Sequence, residues 1–176
     1  MRSFYIEPKE FSLLISLMNY GNFLIMRVCL DTGLRISDVL CFEKRKLLQK
    51  SFVVTEMKTG KKRKIRLKAK LKAELLRFCS CNGSAFVFRH RTNPKKHKTR
   101  QAVWYDIKRA CSLLGIKKNI TPHSARKIFA VELGKLGYDL EAVRQLLNHD
   151  QEGTTMFYLF AEEFQNTKKP RRRRRG

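Results

Sequence analysis

Arg35, Lys58, His123, Arg126, His149 and Tyr158 are the residues whose types and spacing bear on chemistry, with Asp38 three places after the first arginine. Arg35 follows a glycine break and opens a short helix, where a guanidinium can fork onto a phosphate. A plain ion pair with Asp38 would explain the same arginine. His123 and Arg126 stand three apart on one expected helix and so point to one side, and two cationic donors on one face suit an anionic oxygen. An H-x-x-R spacing is nevertheless common by chance. Lys58 sits at the tip of an expected β-hairpin among Lys61, Lys62, Arg63 and Lys64, most of which face solvent or a polyanion's backbone. Tyr158 lies in Met156-Phe157-Tyr158-Leu159-Phe160, nine residues after His149. Taken by itself, that aromatic run reads as core.

The elements that would carry these residues follow from periodicity. Phe11, Leu14, Ile15 and Met18 predict a helix over 7–19, ended by Tyr20-Gly21-Asn22. A second helix over about 22–31 is apolar on most sides and therefore buried. Thr32-Gly33 interrupts it, and a short helix from Ile36 to Phe42 follows. Residues 51–68 predict a hairpin with Thr59-Gly60 at its turn, one face on the core and a basic face outward. A helix over 70–79, a third strand over 85–88 and a basic loop over 90–99 come next. Further helices are expected over 100–114 (ended by Gly115), over 123–136 (ended by Gly137), from an Asp139 cap to Leu147, and over 155–165. The fold class is thus α+β and mainly helical, with a small antiparallel sheet.

Composition narrows the partner. Lys and Arg number 39 against 15 Asp and Glu among 176 residues, a formal charge of +24. The stretch from Lys168 to Gly176 holds seven basic residues and no acid, and the remainder is still strongly basic. A polyanion, nucleic acid first, is the natural partner. Lys61, Lys62, Arg63 and Lys64 of the hairpin, Lys95, Lys96 and Lys98 of the basic loop, and Arg100 after it are the candidate DNA contacts. No apolar run approaches the roughly 18 residues of a membrane helix, and the N-terminus lacks the pattern of a signal peptide. Five cysteines, an odd number, read as reduced thiols in a cytoplasmic protein. Cys79, Cys81, His90 and His97 do not have zinc-site spacings, so no metal is expected.

The ordered combination is more specific than its parts. Thr32-Gly33-Leu34-Arg35-Ile36-Ser37-Asp38, Lys58-Thr59-Gly60, His123-Ser124-Ala125-Arg126, and Leu147-Asn148-His149 followed by Thr154-Thr155 and Tyr158 resemble, in order and gaps, the boxes of the tyrosine recombinases, the phage-integrase and Xer family. The resemblance implies a recombinase catalytic-domain fold over residues 1–166, and the low-complexity basic composition of 167–176 predicts a disordered tail. The helical core-binding domain that usually precedes it would be absent, making the chain either a fragment or a minimal recombinase.

It further implies that Tyr158 attacks a DNA phosphate to give a 3′-phosphotyrosyl bond and a free 5′-hydroxyl. Arg35 and Arg126 would hold the non-bridging oxygens. His123 would assist proton transfer, His149 would hydrogen-bond the phosphate, Lys58 would protonate the leaving oxygen, and Asp38 would orient the site. No cofactor is implied, and the partners would be double-stranded DNA and further copies in a tetramer. Asn148 departs from the family's glycine before the histidine, although asparagine is the next residue most at ease in a left-handed turn. A type IB topoisomerase, a telomere resolvase, or a DNA-binding regulator on the same fold are the competing readings.

Overall fold

The computed structural model describes residues 3–147. The chain divides into two compact units, Met1–Phe129 and Ala130–Gly176. The expected helix over 155–165, His149 and Tyr158 lie outside the described residues.

In the first unit, α1 (Pro8–Ser16) starts on a proline, whose missing N–H is no loss in a first turn, and buries Phe11, Leu14 and Ile15. Helix α2 (Tyr20–Thr32) buries Leu24, Ile25, Met26, Val28 and Cys29, in keeping with its nearly all-round apolar pattern. Tyr20-Gly21-Asn22 does not break the chain here but forms the first turn of α2, with Asn19 as its cap. The physical reason is tertiary. Asp106 accepts the Asn19 amide at 2.8 Å and the Asn22 side-chain amide at 2.7 Å. A Cβ on Gly21 would lie 2.9 Å from the Phe78 ring, so the glycine serves a close approach rather than a turn.

Helix α2 ends where Gly33 adopts φ 64°, a left-handed angle that a side chain disfavours. Two short helices follow, α3 (Ile36–Leu40) and α4 (Lys44–Leu47). Strands β1 (Phe52–Thr55) and β2 (Lys62–Ile65) pair antiparallel in the register Phe52–Ile65, Val53–Lys64, Val54–Arg63 and Thr55–Lys62. The expected third strand at 85–88 is a single bridge, Phe86 opposite Glu43, flanked by the Lys44 amide on the Ala85 carbonyl at 2.9 Å and the Val87 amide on the Phe42 carbonyl at 2.8 Å. Val87 and Phe88 are buried by side-chain packing, which gives the segment its strand-like composition without a ladder.

Helix α5 (Ala69–Cys79) buries Leu71, Leu75 and Cys79. The basic loop folds back on itself through an Arg89–His97 bridge and the His90 amide on the Lys96 carbonyl at 2.9 Å. Thr99 then caps α6 (Arg100–Leu113), accepting the Ala102 amide at 3.3 Å. The core gathers Phe11 and Leu14 with α2, Leu34, Val39, Phe42, Phe52, Leu75, Phe88, Val103, Ile107 and Ile120. Helix α7 (Pro122–Lys135) starts in this unit.

In the second unit, α7 closes at Gly137. The Tyr138 amide reaches the Leu133 carbonyl at 3.2 Å and the Gly137 amide reaches Gly134 at 2.9 Å, the paired bonds of a Schellman end. Asp139 caps α8 (Leu140–Leu147) by accepting the Ala142 amide at 2.8 Å. All five cysteines are free thiols. Among the described residues no helix is long and apolar enough to cross a membrane.

Candidate active site

The α2–α3 junction is where sequence becomes site. Thr32 closes its own helix end twice over: its hydroxyl donates to the Val28 carbonyl at 2.7 Å and accepts the Leu34 amide at 3.2 Å. Gly33 turns the chain, and Arg35 then stands as the residue capping α3 with an extended backbone (φ −69°, ψ 147°). This local chemistry leaves Arg35 only 9% exposed.

Arg35 does not pair with Asp38. Its Nη1 donates to Glu56, which is wholly buried just after β1. Asp38 instead accepts the Met57 amide on Oδ1 at 2.9 Å, and its Oδ2 has no hydrogen-bond partner among the described residues. Arg63 turns inward as well. Its Nη2 donates to the Thr32 carbonyl at 2.9 Å and its Nη1 lies 3.6 Å from Glu56 Oε1.

The other arginine arrives from α7. The extended segment before α1 holds the helix start: Ser124 Oγ donates to the Phe4 carbonyl at 2.8 Å, Lys127 Nζ to the Ser3 carbonyl at 2.6 Å, and the Phe4 amide to the Asn119 carbonyl at 3.1 Å. Thr121 Oγ1 accepts the His123 amide at 3.3 Å. His123 is exposed at this end, while Arg126, one turn on and 2% exposed, donates its Nη1 to the Gly33 carbonyl. Arg35 and Arg126 therefore converge on the same turn.

The electrostatics are strained. Among the described residues, Arg35, Arg63 and Arg126 face two carboxylates, Glu56 and Asp38. Burial, and then the like charge of Arg35, lower the Arg126 guanidinium to about 10. Burial also lowers Arg63, against the pull of Glu56. Burial pushes the Asp38 carboxyl up against the Met57 hydrogen bond, and Glu56 pushes it further. A buried cationic excess of this kind is costly without an anion to offset it. Paired guanidinium forks fit the oxygens of a phosphate.

Lys58 stands exposed in the turn between the strands. That turn is set by the Gly60 amide on the Glu56 carbonyl at 2.8 Å, by φ 65° at Gly60, and by Thr59 Oγ1 on Glu56 Oε2 at 3.2 Å. Lys61, Lys62 and Lys64 are exposed, as are Lys95, Lys96 and Arg100. Lys98 is not on that surface. It is half-buried with its ammonium on Asn22 Oδ1 at 2.7 Å, and burial lowers its pKa.

Motif reading did not single out Glu56 as part of the site and placed Arg63 on the outer, basic face. The alternation of the hairpin held the signal. Phe52, Val54 and Glu56 share one parity, as do Arg63, Ile65 and Leu67, so both charged residues belong to the inner face.

This architecture is that of the recombinase catalytic domains. It is similar to the structure of XerA recombinase (TM-score 0.71, 21% identity, covering 97% of this chain and 67% of that one). It is similar also to a lambda integrase dimer bound to a COC′ core site (TM-score 0.70, 19% identity, 86% and 59% covered).

At the level of sequence, the model of the phage integrase family matches residues 5–163, and the chain belongs to that family. A tyrosine recombinase of Pseudothermotoga lettingae is 30% identical over 160 residues, 88% of this chain and 55% of that protein. The tyrosine recombinase XerD of Lacticaseibacillus casei is 42% identical over 60 residues, 34% of this chain and 20% of that protein. The chain thus spans only about half, or less, of the length of these relatives.

Proposed function

We propose that this chain is the catalytic part of a tyrosine-type site-specific DNA recombinase, cutting and rejoining strands through a 3′-phosphotyrosyl intermediate. The observation that carries the reading is the convergence of Arg35 and Arg126 on the Gly33 turn, two buried guanidiniums whose mutual repulsion a phosphate would relieve.

In this reading Tyr158 attacks the phosphorus, the phosphodiester bond to the 5′-oxygen breaks, and that oxygen leaves as a hydroxyl after taking a proton from Lys58. The bond energy is kept in the phosphotyrosyl ester, so a new strand's 5′-hydroxyl can reverse the step. Arg35 and Arg126 hold the two non-bridging oxygens as charge builds on them. His123, exposed at the start of α7, assists the proton of the tyrosine, and His149 donates to the phosphate. Asp38 fixes the hairpin turn through the Met57 amide.

Duplex DNA is the substrate, met by the outward lysines Lys61, Lys62 and Lys64 and by Lys95, Lys96 and Arg100. Arg63 and Lys98 are engaged inward and are left out of that contact set. Residues 1–166 form the catalytic domain, and 167–176 add sequence-independent phosphate affinity inside the cell. Exchange of four strands calls for a tetramer on DNA. A tetramer is how lambda integrase is seen on a Holliday junction.

The test is to incubate the chain with supercoiled DNA, quench with detergent, and look for protein covalently attached to DNA. Wild type should form the adduct, and Tyr158→Phe should bind DNA without forming it. An adduct in the phenylalanine variant would remove Tyr158 as nucleophile.

A further inference from the structure

Three contacts tie the β1–β2 hairpin to the α2–α3 junction. Glu56 takes Arg35, Asp38 takes the Met57 amide, and Arg63 takes the Thr32 carbonyl. Glu56 is the residue at which these components meet. One carboxylate oxygen receives Arg35 and the Thr59 hydroxyl, and the other faces Arg63. Its amide donates to the Lys61 carbonyl at 3.0 Å and its carbonyl accepts the Gly60 amide, so its backbone is the base of the turn that carries Lys58. With 0% exposure it has no solvent to trade for these partners.

We propose that Glu56 is a positioning residue for phosphoryl transfer. It aims Arg35 at the phosphate and sets the Lys58 turn against it, while Arg63 serves as its internal counter-cation and not as a DNA contact. The inference rests on the recombinase reading of the site and goes beyond it, because Glu56, wholly buried, would act only through Arg35 and the Lys58 turn. A buried carboxylate beneath an anion site works against binding by charge alone. Its presence there makes sense if orientation outweighs that cost, since small misplacements of reacting groups are expensive in rate.

Charge and orientation give opposite signs, which makes the inference testable. Glu56→Gln keeps the shape and one acceptor but removes the charge. If Glu56 acts by positioning, Glu56→Gln should slow adduct formation by about a hundredfold, the scale of a misplaced reacting group. DNA affinity, carried by the outward lysines, should be unchanged and the far-ultraviolet circular dichroism native. Equal rates in wild type and variant would overturn the proposal. So would a parallel loss of binding and rate with a lowered melting temperature, which marks a merely structural role.

The readout independent of cleavage is inorganic phosphate, titrated into both proteins against chloride of matched ionic strength while the melting temperature is followed. Positioning requires Glu56→Gln to gain less from phosphate than wild type, although simple electrostatics would have it gain more. An equal or larger gain overturns the inference. If wild type bound DNA but formed no adduct, the recombinase reading would fail, and the phosphate titration would still decide the role of Glu56 toward Arg35.

Discussion

Two buried polar clusters lie in the first unit, and they are built in opposite ways. Around Asp106 one carboxylate gathers the Asn19 amide and side chain, the Asn22 side chain, and the guanidinium of Arg109 at 2.7 and 3.0 Å. Both carboxylate oxygens are taken up by these donors, and the cluster fixes the start of α2 against α6. Around Arg35, among the described residues, three guanidiniums share two carboxylates, one carboxylate oxygen has no hydrogen-bond partner, and burial with like-charge repulsion lowers Arg126. A satisfied polar cluster holds the fold together. In the proposed reading, a strained cationic one is held ready for an anion.

The contrast can be broken most forcefully at Arg126. Arg126→Met should cut adduct formation by about a hundredfold to a thousandfold, as expected for a lost oxyanion donor. Its melting temperature should fall by less than that of Asp106→Ala, because the Gly33 carbonyl loses a donor while a like charge also leaves the cluster. A large fall in melting temperature would show that the cluster is structural after all.

Asp106→Ala should behave in the reverse manner. Removing the buried acceptor leaves the Asn22 and Asn19 donors unpaired while the half-exposed Arg109 is rehydrated, and should cost about 2–3 kcal/mol in denaturant unfolding, with adduct formation per folded molecule retained.

The same residue sharpens the comparison through pH. Burial alone would raise the Asp106 carboxyl, but the hydrogen bonds from Asn22, Arg109 and the Asn19 amide outweigh it and hold the group below the usual range. Its folded value therefore lies under its unfolded value of about 3.9. The stabilisation is complete above the unfolded value and is lost as pH falls through the folded one. Wild type should lose stability on acidification below about pH 4, and Asp106→Ala should show a shallower acid limb.

The smallest effect belongs to the turn. Gly60 has φ 65°, and nothing lies within 4 Å of the point an alanine methyl would occupy. Gly60→Ala should therefore cost about 1–2 kcal/mol of backbone strain in denaturant unfolding and nothing in packing.

Much of this was legible in the sequence. The apolar stripes of α1 and α5, the Gly33, Gly115 and Gly137 helix ends, the Asp139 cap and the hairpin all follow from local rules. The start of α2 did not, because its placement depends on Asp106, far along the chain on α6, and on the Phe78 ring beside Gly21. Helix α4 is four residues with one buried anchor, Leu47, too short to leave a period. The segment at 85–88 reads as a strand because Val87 and Phe88 are buried, though only one bridge forms.

Within the site, the motif boxes pointed to Arg35 and Arg126, but nothing in their spacing showed that Gly33 brings them together. Asp38 is the nearest acid to Arg35 in sequence, yet geometry gives that arginine to Glu56. The pairing with Glu56 follows from the period of the hairpin, once both strands are read by parity.

The most direct measurement is the melting temperature of wild type and Arg126→Met in inorganic phosphate, against chloride of equal ionic strength. If the strained cluster is a phosphate site, phosphate raises the wild-type melting temperature and leaves that of Arg126→Met unmoved. An equal rise in both would contradict it, placing the anion elsewhere on a basic surface and leaving Arg126 a buried structural cation.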